Sequence, residues 1–131
     1  MKILIVDDDV GSSKLLQLYL SEYGDLVTAN SGAEAVELFE QSLDNNERFD
    51  LICLDFMMPG MDGIETLEAI RQMERQRGIA RSDRVRVIMT TVVDQEENIL
   101  KAFATGCDSY VIRPDRKERL VDEIRNFGLI S

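Results

Sequence analysis

The segment "LICLDFMMPGMDG" (51–63) has four apolar residues followed by an aspartate, Asp55, and then a second apolar stretch. A short apolar run bounded by turn-forming residues is typical of a buried strand. A carboxylate at the end of such a strand is costly to desolvate unless it is paired, binds a metal or lies at an open edge of the sheet. The other strand ends must therefore be searched for groups that surround Asp55.

Short apolar runs alternate with helical patterns along the whole chain. Strands are predicted at 2–6, 26–29, 51–54, 85–91 and 109–112, and helices near 11–23, 32–46, 63–77, 94–105 and 116–127. Helix caps are predicted at Ser31 and Asp94, and glycine stops at Gly24 and Gly106. Five β–α pairs in strict alternation predict an α/β fold, with a parallel sheet covered by helices on both faces.

The bulk properties narrow the possible functions. A chain of 131 residues with 44% hydrophobic residues predicts a single domain over 1–131 and no effector domain. A net charge of −10 disfavours direct binding to nucleic acid. No segment resembles a signal peptide or a membrane span, so we expect a cytoplasmic protein without membrane insertion. Cys53 and Cys107 are far apart and lack the C-x-x-C spacing of metal and redox sites, so we expect buried structural thiols. The chain lacks histidine, which excludes histidine general-base chemistry and a role as a phosphohistidine donor.

The arginine-rich segment 71–86 contains six arginines and two acidic residues. Runs of this kind are usually solvated helix ends and loops, and a partner-binding patch is the alternative.

Polar side chains collect at four predicted strand ends, where ligands bind in doubly wound sheets. The residues are Asp7, Asp8 and Asp9 after the first strand, Asp55 after the third, Thr90 and Thr91 after the fourth, and Arg113 after the fifth. Converging carboxylates cannot all stay ionised without a cation, and oxygen ligands without histidine suit Mg²⁺ or Mn²⁺. A hydroxyl and an arginine nearby suit a phosphoryl group, so Asp55 is predicted to be a nucleophile that becomes phosphorylated. Each residue taken singly is a common turn, strand or surface residue, and only their joint placement indicates a site.

At these residues the sequence resembles the receiver domain of two-component response regulators, and in particular stand-alone chemotaxis-type receivers. The matching motifs are "ILIVDDD" (3–9), "LDFMMPGMDG" (54–63), "VIMTT" (87–91), "ENI" (97–99) and "SYVIRP" (109–114). They occur in order and extend over the whole chain. The resemblance implies a flavodoxin-like (βα)₅ sandwich with strand order 2-1-3-4-5.

The resemblance also implies the chemistry of the site. Asp55 would accept the phosphoryl group from a phosphohistidine of a sensor histidine kinase or phosphotransfer protein, or from a small acyl phosphate. The side chains of Asp8 and Asp55 and the carbonyl of Met57 would bind Mg²⁺, with Asp7 acting through water. Thr91 would hydrogen-bond a phosphoryl oxygen.

The resemblance further implies how the signal leaves the domain. Tyr110 would be a switch aromatic that turns inward when Thr91 moves. The surface of the fourth helix, fifth strand and fifth helix, including Ile99, Phe103 and Tyr110, would bind a downstream protein. Core positions are an equally good interpretation of Ile99 and Phe103.

The sequence departs from the family at Arg113, where receivers have lysine, and the two side chains are not equivalent. We expect phosphorylation to be retained; the alternative is a pseudo-receiver that binds partners without phosphorylation. A third interpretation is a Mg²⁺-dependent phosphohydrolase. In the common aspartate-based phosphatases, the nucleophile is followed two residues later by a second aspartate that acts as general acid. Here that position is Met57, so this interpretation is disfavoured. In receivers, the residues two positions after the acceptor aspartate and two after the threonine control access of the attacking water. Here they are Met57 and Val93, which are apolar and cannot orient a water, so self-dephosphorylation is predicted to be slow. No other enzymatic activity is expected.

Overall fold

The computed structural model describes residues 1–91, 95–112 and 117–131. The strands in this part of the chain are β1 (Lys2–Val6), β2 (Asp25–Ala29), β3 (Leu51–Asp55), β4 (Arg86–Thr91) and β5 (Ser109–Ile112). The helices are α1 (Val10–Leu20), α2 (Gly32–Asp44), α3 (Gly63–Gln76), α4 (Glu96–Thr105) and α5 (Lys117–Asn126), and a 3₁₀ turn, Arg81–Asp83, precedes β4. None of the helices described is long and apolar enough to cross a bilayer.

The strands form one parallel sheet in the order β2-β1-β3-β4-β5. This confirms the predicted doubly wound (βα)₅ architecture and its strand order. The register pairs Val6 with Leu54 and Asp55 with Thr90, so β1, β3 and β4 end side by side. Residues that follow these three strands therefore meet at one edge of the sheet.

Side chains of the central strands alternate between two apolar cores, as expected for a sheet covered on both faces. Leu54 and Met89 lie in the core under α2, α3 and α4. Cys53 and Ile88 lie in the core under α1 and α5. Cys53 and Cys107 are unpaired and buried, and burial raises the pKa of each thiol to about 12, which agrees with structural thiols.

Two of the predicted helix boundaries are correct in detail. The Ser31 side chain caps α2 by accepting a hydrogen bond from the backbone N–H of Glu34. Gly106 is the C-cap of α4 and has a φ of 121°, a left-handed conformation that glycine adopts without strain. These two signals act within a few residues, and this is why the sequence was sufficient to find them.

Of the other two boundary predictions, the one for Gly24 was wrong. The helix α1 ends at Leu20, and Gly24 is required instead by the entry into β2, where an added Cβ would lie 2.0 Å from the carbonyl oxygen of Met1. The cap of α4 is Gln95, which makes no side-chain capping hydrogen bond. Asp94, the predicted cap, lies outside the described residues.

The prediction of a solvated arginine-rich segment was wrong for Arg71. Its side chain is 1% exposed, and its five N–H groups all donate hydrogen bonds to protein acceptors. Nε donates to the Gly106 carbonyl at 3.0 Å. Nη1 donates to the Glu74 carboxylate and to the Val85 carbonyl, both at 2.8 Å. Nη2 donates to the Gly106 carbonyl at 2.8 Å and to the Asp108 carboxylate at 3.0 Å. We call these five residues the Arg71 network. It joins α3 to the start of β4 and to the α4–β5 connection.

Candidate functional site

Three carboxylates converge at the carboxyl edge of the sheet. One oxygen from each of Asp7, Asp8 and Asp55 lies within 4.8 Å of the other two. Asp7 is buried, Asp55 is half-buried and Asp8 is exposed. The predicted convergence of the first and third strand ends is therefore present in the structure.

The three consecutive aspartates after β1 have different environments. The backbone N–H of Asp7 donates to the Ala29 carbonyl at 3.1 Å, which extends the β1–β2 pairing and holds Asp7 in place. The Asp7 carboxylate accepts a hydrogen bond from the backbone N–H of Asp9 at 2.9 Å. The Asp9 side chain itself caps α1 by accepting from the backbone N–H of Gly11 and the hydroxyl of Ser12. Asp9 is thus a helix cap, and Asp7 and Asp8 are the members that join Asp55.

The acidic cluster is electrostatically unfavourable when all of its members are ionised. Burial, together with the nearby charge of Asp7, raises the pKa of Asp55 to about 7. Burial also raises the pKa of Asp7, although the hydrogen bond from Asp9 opposes that shift. A hard divalent cation would relieve this repulsion, and the donor set of carboxylate oxygens is the one that such cations prefer. The residues present therefore fit a metal of the Mg²⁺ class.

The loop after β3 is fixed against Asp55 by a glycine. The backbone N–H of Gly63 donates to the Phe56 carbonyl at 3.0 Å, and a Cβ on Gly63 would lie 2.5 Å from the Asp55 carbonyl oxygen. Asp62 and Glu65 form a capping box at the start of α3. Gly63 was not among the predicted site residues. The sequence could have indicated it, because Gly63 is the first residue of a predicted helix and glycine is a poor helix former.

Two threonine hydroxyls lie at the end of β4. Thr90 is the register partner of Asp55, and Thr91 is the last residue of β4. Both residues are buried, and the Oγ1 atom of Thr90 has no hydrogen-bond partner in the described structure. Thr90 could not be singled out over Thr91 from the sequence, because an unpaired hydroxyl can be recognised only once its neighbours are known.

The family profile for the response regulator receiver domain matches residues 3–125. The chain belongs to this family. Its receiver domain is 34% identical over 125 residues to the transcriptional regulatory protein ResD of Bacillus subtilis, covering 95% of this chain and 46% of ResD. The chain thus spans less than half the length of ResD, and the comparison concerns the receiver region alone.

Solved receiver structures are similar to this receiver domain over nearly its whole length. CheY in a CheX–CheY complex with BeF₃ and Mg²⁺ from Borrelia burgdorferi has a TM-score of 0.81 and 27% identity, over 100% of this chain and 90% of that chain. The receiver domain of the histidine kinase CKI1 from Arabidopsis thaliana, complexed with Mg²⁺ and BeF₃⁻, has a TM-score of 0.80 and 26% identity, over 97% and 89% of the two chains. The chain is therefore the receiver domain of a two-component response regulator.

The remaining predicted residues of the receiver domain are placed as follows. Tyr110 is 9% exposed and packs edge-on against Phe56, with ring centroids 6.5 Å apart, so its ring is in an inward position. Ile99 is partly buried against the core, whereas Phe103 is 46% exposed. Ile99 is thus partly covered and Phe103 is largely open to solvent, and the partner-binding role of the pair stays a prediction.

The side chain of Met57 is 60% exposed, and its backbone N–H donates to the Asp55 carboxylate at 3.4 Å. Arg113 and Val93 lie outside the described residues. The structure consequently assembles the acidic cluster and the β4 hydroxyls and leaves the role of Arg113 as a prediction from the sequence.

Proposed function

We propose that this receiver domain is a switch controlled by phosphorylation of Asp55. The observation that carries the proposal is the convergence of Asp55 with Asp7 and Asp8 within 4.8 Å at the end of a buried strand. Residues 1–131 are proposed to be sufficient for this reaction as a single receiver domain. Self-phosphorylation and slow self-dephosphorylation are the only catalysis proposed.

In the proposed step, a carboxylate oxygen of Asp55 attacks the phosphorus of a phosphohistidine on a sensor kinase or phosphotransfer protein. The new P–O bond forms as the P–N bond breaks, and the leaving imidazole nitrogen keeps the electron pair and takes up a proton. With a small acyl phosphate, the P–O bond to the acyl group breaks and a carboxylate leaves. Both donors produce the same aspartyl phosphate.

Asp8, Asp55 and the Met57 carbonyl are proposed to hold Mg²⁺, or Mn²⁺ in its place, with Asp7 acting through water. When bound, the cation neutralises charge on the phosphoryl oxygens. Thr91 is proposed to donate its hydroxyl to a phosphoryl oxygen. Arg113 is proposed to supply the positive charge that lysine supplies in other receivers, using a broader, planar group.

The exposed apolar residues near the cluster support docking of a protein donor. Val10 is 66% exposed and comes directly after the three aspartates that follow β1, and Met57 is 60% exposed and lies two residues after Asp55. Exposed large apolar side chains that follow two of the strand ends at this site favour contact with a protein surface. We propose that the donor kinase or phosphotransfer protein covers them during transfer.

The output is proposed to pass from Thr91 to Tyr110 and then to a downstream protein. Phe103 and Leu100 are exposed on α4, and the buried ring of Tyr110 lies on the neighbouring strand. We propose that the partner face, consisting of Ile99, Phe103 and Tyr110, changes when Thr91 engages the phosphoryl group. CheX bound to CheY in the Borrelia complex is an example of a protein partner of a receiver.

The proposal is tested by intact-protein mass after incubation with acetyl phosphate and Mg²⁺. The native chain should gain one phosphoryl group, Asp55→Asn should gain none, and Asp9→Asn should gain one because Asn still caps α1. The Asp9 variant is the matched control for loss of an aspartate beside the site. Labelling of Asp55→Asn equal to that of the native chain would exclude Asp55 as the acceptor.

The role of Arg113 is tested in the same assay with Arg113→Lys. If the native chain gains no mass and Arg113→Lys does, the chain is a pseudo-receiver in which arginine blocks the site. For the proposed slow decay, Met57→Asn should shorten the phosphoryl lifetime, and an unchanged lifetime would contradict the explanation based on an apolar Met57.

A further inference from the structure

A cavity of about 390 Å³ lies at the amino end of the sheet. Its lining includes Arg48 and Phe49 before β3, Arg84 and Arg86 at the start of β4, and Phe127 after α5. We call it the amino-end cavity. It has the size of a small-molecule site, for which volumes of about 300–1,000 Å³ are usual.

The amino-end cavity is separate from the acidic cluster. The strand β3 starts at Leu51, one residue beyond the cavity-lining Asp50, and ends at Asp55. Five rises of about 3.3 Å from Asp50 to Asp55 put the cavity lining and the acidic cluster roughly 16 Å apart. A ligand in the cavity would therefore not touch the phosphorylation site.

Two of the three cavity arginines have partners. Arg48 donates to the Asp83 carbonyl at 2.8 Å. Arg86 donates to the Asp108 carboxylate at 3.3 Å and lies 5.5 Å from the centre of the Phe127 ring. These contacts fix the walls of the cavity on both sides of the third arginine.

Arg84 has no such partner among the described residues. Its Nε atom is buried without a hydrogen bond, and no described carboxylate lies within ion-pair distance of its guanidinium. Burial and the charge of Arg71 lower the pKa of Arg84, and the carboxylates of Asp108 and Glu74 oppose that shift only in part. The chain has 25 acidic and 15 basic residues, so the missing counterion is not explained by a shortage of carboxylates.

The acidic residues of the cavity do not supply that counterion. The Asp50 carboxylate accepts a hydrogen bond from the backbone N–H of Lys2 at 2.8 Å. Asp83 is exposed and holds Arg48 through its carbonyl. A half-buried cation without a partner is costly, and an anion entering the cavity would remove that cost.

We propose that the amino-end cavity binds a small anion carrying a phosphate or carboxylate group, with Arg84 pairing directly with the anionic oxygens. The planar fork of a guanidinium suits both groups, since each presents two oxygens in one plane. Arg48 and Arg86 add positive potential on either side, and the two phenylalanine rings provide an apolar wall for the rest of the ligand.

The test is titration of the ¹⁵N-labelled chain with pyrophosphate and, separately, with citrate, at constant ionic strength in EDTA. Saturable shifts of the amides of residues 82–86 and 127–129 are expected with at least one probe, and the probe that saturates identifies the phosphate or the carboxylate class. Arg84→Gln should weaken binding at least tenfold. Arg81→Gln, an exposed arginine on the adjoining 3₁₀ turn, should change it less than twofold.

Shifts that grow linearly without saturation, or equal losses in the Arg84 and Arg81 variants, would overturn the proposal. Arg84→Gln and Arg84→Met should both fold at least as stably as the native chain, because each removes an unpaired half-buried charge. Unfolding of both variants would contradict the absence of a partner for Arg84 and overturn the proposal as well. Asp55→Asn should leave the binding unchanged, which separates this site from the phosphorylation site.

Discussion

Replacing Arg71 with methionine should destabilise the domain more than any other single arginine substitution among the described residues. Met retains the aliphatic stem but none of the five donors. The Glu74 carboxylate, 1% exposed, would keep only the hydrogen bond from the Val85 backbone N–H, and the Gly106 carbonyl would lose both of its donors from Arg71. Removing one member of a buried ion pair costs about 3–5 kcal/mol, a large part of the roughly 5–15 kcal/mol that stabilises a domain.

The assay is equilibrium unfolding in urea. With a slope of about 2 kcal/mol per molar, a loss of about 4 kcal/mol would lower the midpoint by about 2 M. Arg75→Met is the matched control, because Arg75 lies one turn later on α3 and is exposed. Its midpoint should move by less than about 0.3 M, since surface substitutions usually change stability by at most about 0.5 kcal/mol.

The double variant Arg71→Met/Glu74→Met separates the loss of hydrogen bonds from the cost of leaving the buried Glu74 carboxylate without a positive partner. It removes both charges, so no uncompensated carboxylate is left in the core, and the combined loss should be smaller than the sum of the two single losses. A midpoint of Arg71→Met equal to that of Arg75→Met, or strict additivity in the double variant, would refute the proposed energetics.

Three further predictions concern the edge of the sheet near Asp55. Thr90→Val should raise the unfolding free energy by roughly 1 kcal/mol in urea, because it removes a buried hydroxyl without a partner; a decrease would reveal a partner. Gly63→Ala should lower the unfolding free energy by about 1–3 kcal/mol, because the new Cβ would lie 2.5 Å from the Asp55 carbonyl oxygen. Gly11→Ala is the control and should not lower it, because the atom nearest to its new Cβ is 3.8 Å away. Asp62→Ala should cost about 1 kcal/mol through loss of the α3 cap, and an unchanged midpoint would show that the capping box contributes nothing.

Features with a local cause could be predicted from the sequence. The strands were predicted to within one residue at each end because apolar runs and their bounding turns are local signals. The convergence of Asp7, Asp8 and Asp55 followed from strand order, since parallel strands bring their carboxyl ends together. The roles of Thr91, Arg113 and Tyr110 remain predictions.

Features that depend on distant partners could not be predicted in this way. Arg71 lies 35 positions from Gly106 and 37 from Asp108, so nothing in its neighbourhood distinguished it from the exposed arginines that follow. Gly24 resembled a helix stop, but its real constraint is the Met1 carbonyl at the start of the chain. In both cases the deciding contact is made by tertiary packing rather than by the residues alongside.

The Arg71 network also gives α4 two unequal ends. Its C-cap, Gly106, is held through its carbonyl by two N–H groups of a buried guanidinium, whereas its N-cap, Gln95, makes no side-chain capping bond. A rigid helix of ten residues is about 15 Å long, so a tilt of about 10° around the fixed end would move its first turn by roughly 2.6 Å and its last turn very little. The helix would pivot about Gly106, and a protein bound to α4 would be displaced most where it contacts the N-terminal end of the helix.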